Sequence, residues 1–357
     1  MKLQAYQYRI PLVSPLETSR RTISHREGLI VAFINGDYSL FGEAAPLPGF
    51  SKESLTEVKE SFLANRSRLL SLLEQGEEYH SSAIQDLTPS LSFALDSIFF
   101  QQKARNRDRS LPSFLFKQAQ TRIPVNAVVS LHSGNALKKT AQLVEAGFTT
   151  VKAKVGIDFG PELKTVRKLR ENFPDLAIRL DANGAWSLEE ALENCAGLAD
   201  LGIEYLEEPL ANSTIENWKT LAQNITVPLA VDESQLRVSW WKKLLPYSSY
   251  LILKPMFKGS FRKIFESRKI ANSLDNKIVF TTTFESGIGR YLTAALASGL
   301  GDSQTAHGLA TGQMLAADFV AESDYISDGY FSFGNKGEEP IIDFDRLPEP
   351  ISIKQLI

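Results

Sequence analysis

The first third of the chain combines alternating and helical patterns of hydrophobic residues. Alternating polar and apolar positions are typical of strands, and apolar residues three or four positions apart are typical of helices. These patterns predict strands at Lys2–Pro11, Glu27–Asn35 and Tyr38–Glu43, and helices at Glu53–Leu73 and Ser90–Asn106. Strands that precede helices in this way indicate an α+β region.

From Pro124 onward, short apolar runs alternate with helical segments. The sequence predicts eight strands, the first at Val125–Ser130 and the last two at Ile278–Thr282 and near Gln304–His307. Helices are predicted at 134–146, 161–172, 188–201, 215–223, 236–245, 261–272 and 289–299. This rhythm favours a (β/α)-barrel. A doubly wound sheet is the alternative, which we disfavour because no glycine-rich phosphate loop follows the first strand.

Five residues with acid–base or charge chemistry recur along the barrel region at nearly constant spacing. They are Lys154, Asp181, Glu207, Asp232 and Lys254, separated by 27, 26, 25 and 22 residues. Each lies at or just after the end of a predicted strand, and the C-terminal ends of barrel strands face one common pocket. The spacing therefore predicts three carboxylates between two lysines, which is typical of a metal-assisted enzyme.

The three carboxylates predict a divalent cation. Two carboxylates about 4 Å apart repel by about 4 kcal/mol at an effective dielectric constant of about 20. Asp181, Glu207 and Asp232 therefore need a counter-ion or raised pKa values. An all-oxygen ligand set favours Mg²⁺, with Mn²⁺ as the second choice. Taken singly, each acid is equally well explained as a surface residue at the start of a loop.

The residues beside these acids suggest further roles. Strand alternation lets only one of Glu207 and Glu208 face the pocket, and we choose Glu207 because Glu208 precedes a proline and begins the loop. Asn183 follows Asp181 by two residues, so it is a candidate donor to the carboxylates; a helix cap or turn is the alternative. Arg179 is a further candidate for a contact with the substrate or with the metal ligands.

The lysines predict proton transfer. Lys152 and Lys154 lie two residues apart on one strand, so their side chains share a face, and Lys254 lies on the opposite side of the barrel. Two ammonium groups close together lower each other's pKa, and a lysine near neutrality can act as a general base. A lysine beside a metal suits removal of a proton next to a carboxylate, since the metal stabilises the enediolate oxygens.

Composition narrows the class of protein. The net charge is −3, the pI is about 5.9, and no run of Lys and Arg is longer than a pair, so nucleic acid and anionic membranes are not expected partners. No obligate protein partner is evident, and a small carboxylate is the expected ligand. The single cysteine, Cys195, cannot form an internal disulfide. Together with the lack of a signal peptide or a long apolar run, it favours the cytoplasm.

The motifs resemble those of the enolase superfamily, specifically its muconate lactonising enzyme subgroup. The resemblance implies an α+β capping domain formed by residues 1–120 with a returning segment at 323–357, and a modified (β/α)7β TIM-type barrel at 121–322. It also implies Mg²⁺ on Asp181, Glu207 and Asp232. The motifs that carry it are Lys152-Ala153-Lys154, Asp181-Ala182-Asn183, Glu207-Glu208-Pro209, Asp232-Glu233-Ser234, Lys254-Pro255 and the segment 42–51.

Within that subgroup, segments 283–289 and 306–312 are similar to those of the o-succinylbenzoate synthases. Dipeptide epimerases carry an Asp-x-Asp at the end of the eighth strand to hold an ammonium group, and segment 306–312 has no acid. The resemblance implies Mg²⁺-dependent syn-dehydration of 2-succinyl-6-hydroxy-2,4-cyclohexadiene-1-carboxylate to o-succinylbenzoate, a step of menaquinone biosynthesis. It also implies that Lys154 moves the proton, that Lys254 stabilises the enediolate from the other side, and that Lys152 balances charge.

Other activities and contacts remain open. N-acylamino acid racemisation, dipeptide epimerisation and muconate cycloisomerisation need the same enediolate, and a non-catalytic barrel is a further alternative. The polar stretch Ser14–Arg26 is predicted to be a loop that closes over substrate, with Arg20 or Arg21 meeting a carboxylate. The turns at Ser286-Gly287 and at Gly308 are candidates to offer N–H groups to the succinyl carboxylate. His307 is expected to join a hydrogen-bond network at the barrel end.

Overall fold

Long antiparallel strands begin the fold. The computed structural model describes residues 1–17, 22–36, 38–76, 81–237, 239–320, 325–333 and 339–357. The N-terminal region has two layers. One is an antiparallel sheet that contains β1, and the other consists of two long helices, which a short helix follows. These elements are β1 (Lys2–Glu17), β2 (Thr22–Asn35), β3 (Tyr38–Ala44), α1 (Leu55–Glu74), α2 (Pro89–Arg105) and α3 (Leu111–Leu115). The predicted α+β region is confirmed, and we call it the cap.

The sequence explains how α1 begins and which side it buries. Ser54 and Glu57 form a capping box, in which each side chain accepts a hydrogen bond from the other residue's backbone N–H. The apolar positions Val58, Phe62 and Leu69 then recur at helical spacing and are buried against the sheet. Together with α2 they form the hydrophobic core of the cap.

The stretch Ser14–Arg26 is not a loop along its described length. Strands β1 and β2 extend through it, with Leu16 opposite Ile23 and Glu17 opposite Thr22 after a register shift. The prediction of a loop was wrong because polar side chains on an exposed hairpin resemble those of a loop in sequence. Arg20 and Arg21 lie outside the described residues.

Seven parallel strands form a curled sheet in strict chain order. The order is β11-β10-β9-β8-β7-β6-β5, each strand pairing with its sequence neighbour. A short strand, β4 (Arg122–Pro124), precedes them. The strands are β5 (Ala127–Val129), β6 (Thr150–Lys154), β7 (Ala177–Asp181), β8 (Ile203–Glu207), β9 (Leu229–Val231), β10 (Tyr250–Leu253) and β11 (Lys277–Phe280).

Helices follow these strands and cover the outside of the sheet. Six of the seven helices predicted for this region match observed helices within three residues at each end. The observed helices, of which the short α9 was not predicted, are α4 (Ala136–Glu145), α5 (Phe159–Asn172), α6 (Leu188–Leu198), α7 (Ile215–Asn224), α8 (Ser234–Arg237), α9 (Pro255–Lys258), α10 (Phe261–Asn272) and α11 (Gly287–Leu300).

The exception is the helix predicted at 236–245. Along its described residues, this stretch forms the four-residue α8 and two 3₁₀ turns, Trp241–Lys243 and Leu245–Tyr247. Pro246 explains the end of the pattern, because proline lacks the N–H that a continuing helix requires. The buried residues Trp241, Leu244 and Leu245 imitate helical spacing without a regular helix.

The chain segment at His307 and Gly308 closes the sheet into a barrel. Parallel bridges pair Val125 with His307 and Thr281 with Gly308, so this segment lies between the first and the last strand. The eighth strand predicted near Gln304–His307 is thus reduced to two bridges. The resulting barrel with seven βα units and a short closing strand confirms the predicted fold class.

Alternation along each strand separates the two sides of the barrel wall. On β6, Val151 and Ala153 are buried against the helices, whereas Lys152 and Lys154 face the pocket at the barrel mouth. On α6, Cys195 is buried against the same outer face of the sheet. Burial raises the pKa of its thiol to about 12.

The C-terminal region first contacts the barrel and then returns to the cap. Strands β12 (Ile326–Ser327) and β13 (Tyr330–Ser332) form a small sheet with β4, and β14 (Ser352–Gln355) pairs antiparallel with β1. The predicted domain boundary between residues 322 and 323 lies outside the described residues.

A buried carboxylate joins the cap to the barrel. Glu43 on β3 accepts hydrogen bonds from Tyr8 Oη at 2.5 Å, Ser286 N at 3.0 Å, Ser286 Oγ at 2.6 Å and Gly289 N at 2.8 Å. Ser286 and Gly289 belong to the N-terminus of α11, whose partial positive charge favours an anion. Burial raises the pKa of Glu43, and its hydrogen bonds with Ser286 and Tyr8 oppose that rise. The cap therefore provides the capping group of a barrel helix.

We predict that Glu43→Ala destabilises the protein by about 3 kcal/mol or more. The substitution leaves several buried donors of Ser286, Gly289 and Tyr8 without an acceptor, and each such group costs about 1–3 kcal/mol. Chemical denaturation measures the loss. The matched control is Glu57→Ala, which removes an exposed capping carboxylate of α1 and should cost much less. Equal losses for the two variants would show that Glu43 does not fasten the cap.

Candidate active site

The predicted strand-end residues converge at the mouth of the barrel. In the sheet register, Lys154 is paired with Asp181, and Asp181 with Glu207, so these side chains lie level with one another. Lys254 follows β10 on the opposite side. The pocket there is lined by barrel residues, among them Asn126, Lys152, Lys154, Asp181, Asn183, Glu233 and Lys254, and by cap residues Leu16, Leu47 and Phe50.

Lys152 binds two of the three predicted ligand carboxylates. Its Nζ lies 2.7 Å from Asp181 Oδ2 and 2.7 Å from Glu207 Oε2. Burial alone would lower the pKa of Lys152, but the charges of Asp181 and Glu207 outweigh it and raise that pKa well above its usual value. For Asp181, burial raises the pKa and the nearby Lys152 ammonium lowers it, with a net decrease. Lys152 is therefore held protonated.

Glu207 is the most deeply buried of the three predicted ligand carboxylates. It is fully buried, and burial together with the neighbouring Asp181 charge raises its pKa well above its usual value. Its Oε1 atom has no hydrogen-bond partner among the described residues. A buried carboxylate oxygen without a partner is costly, so a cation beside Glu207 Oε1 would stabilise the site.

The three carboxylates fit a hard cation in chemistry but do not form a ready-made cluster. Among the described residues, no group of three His, Cys, Asp or Glu side chains is arranged to hold a metal ion. The lysines explain this, since Lys152 lies on Asp181 and Glu207, and Lys254 Nζ donates to Asp232 Oδ2. The free Glu207 Oε1 and the all-oxygen donor set nevertheless suit Mg²⁺. The ligand assignment stays a prediction.

Glu208 has a structural role that its position before proline did not suggest. It is fully buried, and it accepts hydrogen bonds from Asp232 N at 2.7 Å, Ser234 N at 2.9 Å and Ser234 Oγ at 2.8 Å. Its backbone has a φ of 42°, in the left-handed region. Burial raises its pKa to about 7. Glu208 thus fixes the backbone at Asp232 and Ser234, while Glu207 contacts Lys152, a residue that lines the pocket.

Lys154 differs from the other two lysines of the pocket. Its side chain is exposed to the pocket and makes no hydrogen bond or ion pair with any residue that the structure describes. Lys254 is bound to Asp232, whose charge, with those of Glu233 and Glu207, outweighs burial and raises the Lys254 pKa. Both Lys152 and Lys254 are therefore stabilised as cations, whereas Lys154 is the lysine of the pocket that has no carboxylate partner among the described residues.

Asn183 links two strand ends. Its backbone N–H donates to Asp181 Oδ1 at 3.1 Å, and its Nδ2 donates to Glu233 Oε1 at 3.0 Å. The side chain thus supports Glu233 instead of Asp181, although the prediction that Asn183 donates to the carboxylates is correct for its backbone. Burial and the neighbouring Asp232 charge raise the pKa of Glu233 to about 8.

The structure narrows the role predicted for Arg179 and corrects those predicted for Ser286 and Gly287. Arg179 is fully buried inside the barrel and does not line the pocket, but it binds Glu204 and donates to Asn126 Oδ1 of the pocket wall at 3.2 Å. The N–H of Ser286 donates to Glu43, and that of Gly287 donates to Asp318 at 2.7 Å. These groups are used within the protein, so the prediction that they bind the succinyl carboxylate was wrong.

Gly308 and His307 also have their backbone groups occupied. Gly308 lines the pocket, but its N–H donates to Phe280 O at 2.8 Å, so only its lack of a side chain contributes to the site. A Cβ at Gly308 would lie 2.7 Å from Thr281 Cγ2. The backbone N–H of His307 donates to Pro124 O at 2.8 Å. Its side-chain Nδ1 accepts from Phe280 N at 3.1 Å, as expected for a hydrogen-bond network, and burial lowers the pKa of the imidazole to about 3.

Sequence reasoning missed the threonines at the end of β11. Thr281, Thr282 and Thr283 all line the pocket, and Thr281 Oγ1 is buried without a hydrogen-bond partner among the described residues. Thr282 Oγ1 lies 2.7 Å from Thr311 Oγ1 and joins two loops of the pocket wall. The rule that polar residues at strand ends face the pocket applies to them as well, but their short neutral side chains gave no electrostatic signal.

The described part of the chain contains no helix long and apolar enough to span a membrane.

Sequence comparisons relate both parts of the chain to known proteins. Residues 136–337 match the family described as Enolase C-terminal domain-like, and residues 1–100 match the family described as MenC, N-terminal domain. The o-succinylbenzoate synthase of Mycolicibacterium smegmatis is 32% identical over 67% of this chain and 70% of that protein. The o-succinylbenzoate synthase of an Enterobacter species is 29% identical over 89% of this chain and 92% of that protein.

Solved structures share the fold at low sequence identity. A muconate lactonizing enzyme from Pseudomonas fluorescens aligns with a TM-score of 0.81 at 18% identity, covering 96% of each chain. An N-succinyl Arg/Lys racemase from Bacillus cereus aligns with a TM-score of 0.81 at 19% identity, covering 99% of this chain and all of the other. At these identities the likeness concerns the fold alone.

We predict that Lys152→Met lowers the free energy of unfolding by about 3 kcal/mol in metal-free buffer, because removing one partner of a buried ion pair leaves uncompensated charge. Added Mg²⁺ should raise the melting temperature of this variant more than that of the wild type, since the cation replaces the lost ammonium. Thermal unfolding with and without Mg²⁺ measures both effects. Lys139→Met, on the exposed side of α4, is the control. If Mg²⁺ did not raise the melting temperature of Lys152→Met, the result would contradict the predicted ligand set.

Proposed function

Because this chain belongs to the enolase superfamily, we propose that it is an o-succinylbenzoate synthase. Such an enzyme dehydrates 2-succinyl-6-hydroxy-2,4-cyclohexadiene-1-carboxylate to o-succinylbenzoate in menaquinone biosynthesis. Relatives with that name align with most of the chain, and the N-terminal match to the MenC domain supports the same activity. The reaction makes the protein a carbon–oxygen lyase.

One observation carries the mechanism: Lys154 is the lysine of the pocket without a carboxylate partner among the described residues. Lys152 and Lys254 each bind a carboxylate that favours their protonated form. A general base must be able to give up and accept a proton, so Lys154 is the best candidate. Lys254 faces it from the other side of the pocket with its positive charge retained.

The proposed reaction has two steps at one face of the substrate. Lys154 Nζ, as the free amine, accepts the proton at C1, and the electrons of the C–H bond move into the ring carboxylate to give an enediolate. These electrons then form the C1–C6 double bond as the C6–O bond breaks. Lys154 returns its proton to the departing hydroxyl, so water leaves and the ring becomes aromatic.

The other charged residues support this sequence. Lys254 stabilises the negative charge of the enediolate across the pocket, and Lys152 balances the charge of Asp181 and Glu207. Asp181, Glu207 and Asp232 would hold Mg²⁺, the metal that enzymes of this superfamily generally use. When bound, the ion supplies positive charge that lowers the energy of the developing enediolate.

Racemisation of N-acylamino acids is the second candidate function. It requires a base on each face of the carbon that loses its proton, and Lys154 and Lys254 lie on opposite sides of the pocket. The wall formed by Gly308, Ala310 and Thr311 carries no acid to hold a free ammonium group. That absence of charge favours an acylated substrate over a dipeptide. Muconate cycloisomerisation would use the same residues.

We expect the purified protein with Mg²⁺ to convert the cyclohexadiene carboxylate to the aromatic product, followed by the change in ultraviolet absorbance. Lys154→Ala should lower kcat by about 10³-fold, within the usual range for loss of a general base. Lys139→Ala, on the outside of the barrel, should leave kcat unchanged. No turnover, or full turnover by Lys154→Ala, would overturn the proposal.

We expect no exchange of the α-proton of N-succinylamino acids at a rate comparable to dehydration. Incubation in deuterium oxide with Mg²⁺, followed by NMR, measures this exchange. Rapid exchange in a protein that does not aromatise the diene would instead establish the racemase as its function.

A further inference from the structure

Phe284 is held in a backbone conformation that its side chain disfavours. Its φ is 61°, in the left-handed region, where residues other than glycine, asparagine and aspartate are rare. The other non-glycine residues with positive φ are Asp108, Asn183, Glu208, Asp275 and Asp328. Phe284 is thus the only aromatic residue with this strain in the described part of the chain, and it lines the pocket.

Buried charged groups hold the backbone on both sides of Phe284. Arg26, on the cap strand β2, donates from Nε to Phe284 O at 3.2 Å. Glu285 accepts from Thr283 N and from Thr283 Oγ1, at 2.9 Å for the latter, which closes a tight turn around Phe284. Ser286 is bound to Glu43 of the cap. The strained residue therefore lies between anchors that the cap and the barrel supply together.

Arg26 is itself fixed by the cap loop. The guanidinium is almost fully buried, and it donates to Pro46 O at 2.8 Å and to Ala45 O. These carbonyls precede Leu47 and Phe50, which line the pocket from the cap side. One arginine thus connects the two walls of the pocket, the cap loop at 45–50 and the barrel loop at 281–286.

The side chains that this arrangement brings together form an apolar roof. Phe284 packs in one hydrophobic cluster with cap residues and with Phe257 of the barrel. Five members of this cluster line the same pocket as the lysines and carboxylates, which we call the charged floor. They are Leu16, Leu47, Phe50, Phe257 and Phe284.

We propose that Phe284 is a specificity-determining residue whose ring packs on the six-membered ring of the substrate, and that Arg26 is the positioning residue that keeps it there. This inference rests on the proposed function. The anionic groups of the substrate would contact the charged floor, and its apolar diene ring would pack against the apolar roof. Strained residues persist at ligand sites where the surrounding structure over-determines them, and the contacts of Arg26, Glu285 and Glu43 meet that condition.

The first test separates the ring from the backbone strain. Phe284→Gly and Phe284→Ala both remove the ring, so each should lower kcat/KM at least tenfold, mainly through a higher KM. Phe284→Leu keeps an apolar side chain and should recover most of the affinity. Because glycine tolerates a positive φ, Phe284→Gly should melt at a higher temperature than Phe284→Ala, the reverse of the usual order in regular structure.

Asp275 is the matched control for strain. It has a φ of 56° in the loop before β11 and does not line the pocket. Asp275→Gly should therefore also melt above Asp275→Ala, while both keep the kcat/KM of the wild type. If replacing any residue with a positive φ lowered activity, kcat/KM would also fall in Asp275→Gly and Asp275→Ala.

The second test addresses Arg26. Arg26→Lys keeps the charge but cannot serve all its carbonyl acceptors, so KM should rise at least threefold in the wild-type background. In the Phe284→Gly background the same substitution should leave KM nearly unchanged, because there is no ring left to position. If Arg26 had only a structural role, Arg26→Lys would change KM by the same factor in both backgrounds, and its main effect would be a lower melting temperature.

The outcomes separate the two proposals. Turnover by the wild type with unchanged kinetics in Phe284→Gly would overturn the role of the ring. Equal effects of Arg26→Lys in the two backgrounds would overturn the role of Arg26. Failure of the wild type to aromatise the diene would overturn the proposed function, and this inference with it.

Discussion

The repulsion between like charges at the barrel mouth is the constraint on which the rest of the site depends. The barrel brings the ends of β7, β8 and β9 to one level, so Asp181, Glu207 and Asp232 must share a buried space. Lys152 and Lys254 offset part of that cost by direct ion pairs. The raised pKa of Glu207 and its Oε1 atom, which has no hydrogen-bond partner among the described residues, indicate the part that remains. Positive charge beside Glu207 would therefore stabilise the site.

Satisfying these carboxylates also divides the lysines by role. Lys152 and Lys254 are each ion-paired with a carboxylate, and Lys154 has no carboxylate partner among the described residues. Strand β6 thus carries one lysine that is paired with carboxylates and one that is not, and only Ala153 separates Lys152 from Lys154. The division follows from position alone, because Lys152 lies deeper along β6 and reaches the carboxylates while Lys154 reaches the open pocket.

The sequence predicted the features that depend on residues close together in the chain. Strand and helix bounds, the level of Asp181 and Glu207, and the inward face of β6 all follow from periodicity and spacing. The errors concern contacts between distant residues. Nothing near Ser286 indicates that Glu43, 243 positions earlier, would take its N–H, and nothing near Arg179 indicates that Glu204 would hold it inside the barrel. The buried residues Trp241, Leu244 and Leu245 have helical spacing, but Pro246 and the tertiary packing prevent a regular helix there.

The buried cysteine gives the molecule an internal reporter. Cys195 is the single thiol, and it lies between α6 and the sheet with a pKa raised to about 12. The thiolate is the reactive form, so a labelling reagent meets it only when α6 separates from the barrel wall. The rate of labelling therefore measures opening of the barrel layer independently of the cap, whose attachments involve other elements. The native sequence thus already carries the single thiol that is needed to follow the opening of the barrel layer by labelling.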